Sequence, residues 1–209
     1  MGVQKITSQT NRMHILSVKR GKVAPLFVSE SGVTQSVISG IRKQTVNGPV
    51  QVGKLGLEGD EQADLTVHGG LEKALYLYPY EHYKFWEKTL INVLKKTTQL
   101  EPGAMGENLT TMGIMEHDLW VGDRLKIGEV LLEVTEPRAP CYKFAARMGF
   151  RHAVKHMLQS GFTGVYLKVI QQGSIQAKST ITLLPGPREV SIADINGRRL
   201  KGRQRDLFQ

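Results

Sequence analysis

The sequence predicts a mainly β fold, a closed or partly closed β-barrel with a few helices. Three observations predict it. Short runs rich in Val, Ile, Leu and Tyr recur along the chain, bounded by Gly, Pro, Asp and Asn, which is how strands and their turns read. Glycine is abundant, at 22 of 209 residues, and most of it falls between those runs. The regular strand–helix alternation of a parallel sheet is absent and the strands are closely spaced, which favours a barrel over a doubly wound sheet.

Taken in order, the candidate strands are 14–19, 33–38, 74–78, 130–135, 164–170 and 180–184. The stretch 123–134 reads as a hairpin turning near Gly128, because its first arm alternates polar and apolar residues as a half-buried strand does. Residues 79–96 read as a helix: Tyr83, Trp86, Leu90 and Leu94 fall at helical spacing, and Pro79 suits a first turn. Residues 142–159 form a second helical stretch, broken at Gly149, with Val154, Met157 and Leu158 on one side. The aromatic stripe Tyr76, Tyr78, Tyr83, Phe85 and Trp86 is assigned to core. Residues 12–184 make one domain. Residues 185–209 change character, with Arg198, Arg199, Lys201, Arg203 and Arg205 in close succession, and read as a solvated basic C-terminal tail.

A chain that is 40% hydrophobic and 22% charged can build a core without metal or disulfide support. Its net charge of +9 favours anionic partners, whether phosphate-bearing cofactors, nucleotides or nucleic acid, without choosing among them. A single cysteine excludes an intramolecular disulfide. The first ten residues are polar and lack the apolar core of a secretory signal. No run approaches the roughly 18 apolar residues of a membrane span. A reducing, cytoplasmic setting is expected.

Three segments carry residues suited to chemistry. In residues 55–70, glycines punctuate a stretch that holds Glu58, Asp60, Glu61, Asp64 and His68. Glycine lets backbone approach a ligand closely, so the polar side chains between can converge on one pocket; the alternative is a pair of tight turns with solvated acids. One histidine among acids lacks the paired spacing of a zinc site. In residues 136–143, Cys141 follows a strand and precedes a helix, flanked by Arg138 and Lys143 and stiffened by Pro137 and Pro140. A helix N-terminus and two cations lower a thiol's pKa, and a thiolate is a soft metal ligand or a nucleophile. A buried structural cysteine, or a hydrolase nucleophile served by His68, stays open. In residues 103–111, Glu107 and Asn108 either point into the same pocket or close a turn.

These segments, in this order, resemble the MOSC family, the domain first named from the C-terminal part of molybdenum-cofactor sulfurase, and in particular its stand-alone bacterial, YiiM-like branch. The resemblance rests on Ser39-Gly-Ile-x-Lys43, Gly56-Leu-Glu-Gly-Asp60 through Val67-His-Gly-Gly70, Tyr78 to Trp86, Gly106-Glu-Asn-Leu-Thr110, Gly122-Asp123 and Glu136-Pro-Arg-Ala-Pro-Cys-Tyr-Lys143. It implies a MOSC barrel of the pyruvate-kinase-like type and a molybdenum–pterin cofactor (Moco) with Cys141 as the protein ligand to the metal. It further implies reduction of N-hydroxylated compounds, such as hydroxylamino nucleobases. The acids to consider are Asp60, His68 and Glu58. Lys43, Arg138 and Lys143 suit the pterin phosphate, and Asn108 is placed in the same cofactor pocket. No G-x-G-x-x-G fingerprint is present, so electrons are expected from a flavin or iron–sulfur electron-donor protein. The branch carries a further C-terminal helical region of several dozen residues that has no full counterpart here, and position 139 is Ala where Ser is common.

Two other readings stand beside this one. Cys141 as a persulfide sulfur carrier needs an accessible thiol and no pterin. A non-enzymatic module binding nucleic acid or another anion rests on the charge and the basic tail alone, without an RNA- or DNA-binding motif.

Overall fold

The computed structural model describes residues 13–30, 33–65, 69–95 and 97–206. The elements in chain order are β1 (His14–Arg20), β2 (Ala24–Glu30), β3 (Val33–Ser39), β4 (Gln44–Thr45), β5 (Val50–Gly53), β6 (Gly56–Leu57), β7 (Leu75–Pro79), α1 (Tyr83–Leu94) and β8 (Leu109–Met112). They continue with β9 (Arg124–Ile127), β10 (Val130–Pro137), α2 (Tyr142–Met148), α3 (Ala153–Ser160), β11 (Val165–Gln171), β12 (Gly173–Ile175), β13 (Thr182–Leu184) and α4 (Ile192–Asp206).

Eight strands form one sheet in the order β13-β9-β10-β11-β7-β8-β1-β4, antiparallel except for the parallel pair β7–β8. The sheet curls until its ends meet. The backbone of Ile15 in β1 exchanges bonds with the segment leading into β13, from Ile15 N to Ser179 O (3.0 Å) and from Lys178 N to Ile15 O (2.7 Å). The expected partly closed barrel is therefore present. A three-stranded sheet, β12-β5-β6, and the separate hairpin β2–β3 complete the β structure.

Strand β7 shows how the layers arise. Its sequence Leu75-Tyr-Leu-Tyr78 sends successive side chains to opposite faces. Leu75 and Leu77 enter the aliphatic barrel core, whereas Tyr76 and Tyr78 enter an aromatic cluster outside it. Strand β11 does the same with Val165 and Leu167 inward and Tyr166 outward. Helices α1, α2 and α3 cover the outer cluster with Trp86, Phe144 and Met157, each essentially inaccessible. Both faces of the central strands are buried, which is why they read as continuous apolar runs.

The helical expectations hold with one shift. Pro79 closes β7 in an extended conformation, and a 3-10 turn at Tyr80–His82 separates it from α1. Gly149, at φ 70°, ends α2 as its C-terminal cap and divides it from α3. Residues 185–209, expected as a solvated tail, contain instead the helix α4, whose Ile192 is fully buried and whose Asn196 is buried against Gly161 and Thr163. Arg199 pins α4 to the end of β10, donating to the Pro137 carbonyl (2.7 Å) and to Glu136 (3.0 Å). The basic spacing concealed an apolar stripe of only a few residues.

Candidate functional site

A recess opens at the edge of the aromatic cluster, where four connections converge on strands β7 and β11. Ser39, Gly40, Ile41 and Lys43 arrive after β3, and Asp60 to Asp64 after β6. Gly106 and Asn108 come from the turn before β8, and Arg138, Cys141 and Lys143 from the connection between β10 and α2. Tyr76 and Tyr166 form its floor. Glycine permits the convergence. A Cβ on Gly40 would lie 2.4 Å from the Glu61 carbonyl, and one on Gly106, at φ +86°, would lie 2.6 Å from the Ile41 side chain.

Cys141 is partly exposed and occupies the N-cap position of α2, its carbonyl accepting from Phe144 N at 2.9 Å. Arg138, three residues earlier, is buried, with its guanidinium 4.8 Å from the Tyr76 ring and 5.0 Å from the Phe144 ring, and it donates to the Met105 carbonyl at 2.5 Å. No carboxylate among the described residues forms an ion pair with it. Burial works against its charge, but the Tyr76 and Tyr166 phenols and the Cys141 sulfur outweigh that and hold it above the ordinary arginine range. Burial in turn pushes the Tyr76 and Tyr166 hydroxyls up, so both stay neutral. Lys143 reaches across to the Ile38 carbonyl at 3.1 Å. The recess thus presents fixed positive charge beside a thiol.

Asp60 lies in the same recess, but its carboxylate is occupied. One oxygen accepts from Gly21 N (2.7 Å) and Lys43 (2.5 Å), the other from Lys43 (2.7 Å) and Asn108 (2.8 Å). The Lys43–Asp60 pair is almost wholly enclosed, with side-chain exposures of 7% and 5%. Asn108 also donates to the Lys19 carbonyl and accepts from Tyr76 N, so one amide ties β1, β7 and the acidic loop together. Lys43, expected at an anion, is spent on this anchor.

Glu58 does not join the site. Its side chain is exposed, it does not line the recess, and its carbonyl takes Arg20 at 3.0 Å. His68 lies outside the described residues. Glu107 turns away into the core, where it accepts from Tyr83, from Gly103 N (2.7 Å), from Met105 N (3.1 Å) and from Thr110 (2.7 Å). Of the two residues expected to share the pocket, only Asn108 lines it.

Sequence reasoning missed Lys73 as a lining residue. Its ammonium lies 5.7 Å over the Tyr166 ring and 3.3 Å from Glu136. Lys73 stands three residues after Gly70, just past the end of the glycine-punctuated stretch. Also missed is the buried His82–Glu116 pair at 2.7 Å, which stands outside the recess.

These features define a class: a curled β half-barrel with one thiol set in a recess lined by four cationic and three acidic side chains. The chain belongs to the MOSC domain family, whose pattern matches residues 64–182. It is similar to YflK of Bacillus subtilis (strain 168), with 35% identity covering 88% of this chain and 80% of YflK. It is also 34% identical to a protein of Gibberella moniliformis named "Reductase", covering 83% of this chain but only 29% of that much longer protein. Among solved structures it matches YiiM from Geobacillus stearothermophilus with a TM-score of 0.71 and 31% identity, covering 91% of this chain and 85% of that one.

Proposed function

We propose that this chain is a molybdenum-dependent oxidoreductase, holding a molybdenum–pterin cofactor through Cys141 and reducing N-hydroxylated compounds. One observation carries the reading: the sole cysteine lies partly exposed in a recess that Arg138, three residues before it, and Lys143, two residues after it, also line. The name of the fungal relative supports the redox class.

The donor set fits such a group. Among the described residues, no three His, Cys, Asp or Glu side chains come together to hold a metal. Among the described residues a metal seated at Cys141 therefore has at most two such protein ligands and must bring the rest with it. That suits a metal carried by an organic dithiolene and not a zinc-type site of three or four side chains. Arg138 and Lys143 would hold the anionic end of the cofactor. When bound, the cofactor would supply two-electron oxygen-acceptor chemistry.

The overall reaction is R–NH–OH + 2e⁻ + 2H⁺ → R–NH₂ + H₂O, with the electrons delivered by a flavin or iron–sulfur protein. In this reading Asp60 does not supply the proton. Donors take both of its oxygens, leaving a carboxylate that positions Lys43 and Asn108. His68 is the remaining acid of the expected set.

The test is metal and pterin analysis of protein gently purified from a cofactor-replete host. Molybdenum near one per chain is expected in the parent protein and none in Cys141→Ala. His68→Ala should keep its molybdenum and lose about 10²–10⁴-fold in turnover, the range for a general acid. A Cys141→Ala protein with full molybdenum would overturn the ligand assignment. Labile sulfane sulfur on Cys141 without molybdenum would favour the sulfur-carrier reading instead.

A further inference from the structure

Helix α4 is tied to the recess through one carboxylate. Glu136, near the end of β10, is shared by two cations that reach it from different parts of the chain. Its Oε2 accepts from Arg199 of α4 at 3.0 Å, and its Oε1 lies 3.3 Å from the Lys73 ammonium. Arg199 is the more firmly placed of the two, since it also donates to the Pro137 carbonyl at 2.7 Å. Lys73 lines the recess, with its ammonium 5.7 Å over the ring of Tyr166 in the floor. Glu136 and Arg199 stand behind that wall and do not line it.

Strand register builds this arrangement. Glu136 pairs with Tyr166 across β10 and β11, and directly opposite residues of an antiparallel pair share a face. The short 3-10 turn that carries Lys73 (Leu71–Lys73) is fastened to the same place. Thr135 donates to the Glu72 carbonyl at 2.7 Å, and Lys168 pairs with the Glu72 carboxylate at 2.7 Å. Helix α4 has anchors besides Arg199, namely the buried Ile192 and Asn196, whose amide donates to the Gly161 carbonyl (3.1 Å) and to Thr163 (3.0 Å). The side chains of Lys73, Glu136 and Arg199 are 22%, 33% and 29% exposed, so water and salt screen them only in part. Two cations on one carboxylate leave a surplus of one positive charge at the recess wall.

We infer that Arg199 is a positioning residue for the recess: by holding Glu136 it keeps that carboxylate from cancelling the charge of Lys73, which acts with Arg138 and Lys143 on a phosphate-bearing anion. Without Arg199 the same carboxylate would balance Lys73 one for one, and the surplus at the wall would vanish. The C-terminal helix thus sets the anion affinity of a recess that it does not line. The inference rests on the proposed reading only in giving the recess an anion; molybdenum and turnover do not enter it.

The probe is inorganic phosphate, titrated at low ionic strength into the full chain prepared without cofactor and followed by calorimetry. Arg199→Gln, which retains an N–H donor and removes the charge, should weaken binding about two- to fivefold, the range for a partly exposed ion pair. Lys73→Met should weaken it at least as much. Adding Glu136→Gln to the Arg199→Gln protein restores the surplus of one charge and should return the affinity to the parent value. Arg198→Gln removes the same charge from an exposed neighbour on α4 and should change nothing. An Arg198→Gln effect equal to that of Arg199→Gln would mean general attraction to a basic chain and would overturn the inference. A double variant as weak as Arg199→Gln would overturn it too, since displacement of the helix would then explain the loss. So would unchanged binding in Arg199→Gln or Lys73→Met, or a parent protein that binds no phosphate. If the expected order of affinities holds while Cys141→Ala keeps full molybdenum, the role of Arg199 stands and the metal-ligand assignment falls. If molybdenum depends on Cys141 while Arg199→Gln binds phosphate like the parent, the reverse holds.

Discussion

At the scale of single residues, the Lys43–Asp60 pair shows that where a side chain lies and what it is bonded to are separate questions. The glycine-punctuated acids announced a loop aimed at a pocket, and Asp60 does reach the recess beside Cys141. What spacing could not show is that three separate partners (Gly21 N, Lys43 and Asn108) close on one carboxylate from distant parts of the chain. Glu58, two residues away, is exposed because it stands in the turn itself, which Asp60 N closes on the Leu57 carbonyl at 3.0 Å. Removing one member of a buried pair leaves the other charge uncompensated, at a cost of about 3–5 kcal/mol. Lys43→Met is therefore expected to lower the unfolding free energy by about 3 kcal/mol, and Lys43→Met with Asp60→Leu to recover much of it, as read by urea denaturation. If Lys43→Met leaves stability unchanged, the pair is not an anchor. Arg138→Lys tests the recess itself. An ammonium cannot lie flat between Tyr76 and Phe144, so the variant should fold but retain less molybdenum, read as metal per chain.

At the scale of elements, the strands with alternating or continuous apolar character were legible, as were both helical stretches and the break at Gly149. The elements that escaped are short or polar. Strands β6 and β12 span two and three residues, too few for periodicity to register. Strand β2 carries Pro25 and belongs to a hairpin with an exposed face, so no burial pattern marked it. Helix α4 was hidden by its basic residues, although Ile192 and Asn196, four positions apart, form the seam that holds it. Ending the chain at Pro185 should expose the surface α4 covers and free Glu136 from Arg199, lowering the melting temperature by several degrees in a thermal scan. An unchanged melting temperature would return α4 to the status of a tail. The turn at Gly106 offers a sharper probe. Alanine there meets both the positive φ and the Ile41 contact, so Gly106→Ala should cost roughly 1–3 kcal/mol and misplace Asn108.

At the scale of the whole molecule, the barrel supplies a rigid ring of strands and the site is hung on the connections outside it, the usual division between scaffold and function. The match to less than a third of a long fungal reductase sets the same unit within a larger chain. In the proposed reading, electrons cross a protein–protein encounter. A net charge of +9 draws acidic partners together faster than diffusion alone, an effect that fades as salt shortens the screening length to about 8 Å at physiological ionic strength. With an acidic flavin or iron–sulfur protein as donor, kcat/KM for the donor should fall steeply between low and high salt. The KM for an uncharged oxime should stay constant over the same range, because an uncharged molecule has no long-range attraction for salt to screen. Stopped-flow reduction of the loaded protein at several ionic strengths separates the two terms. A donor rate indifferent to salt would mean that the surplus charge does not steer the donor.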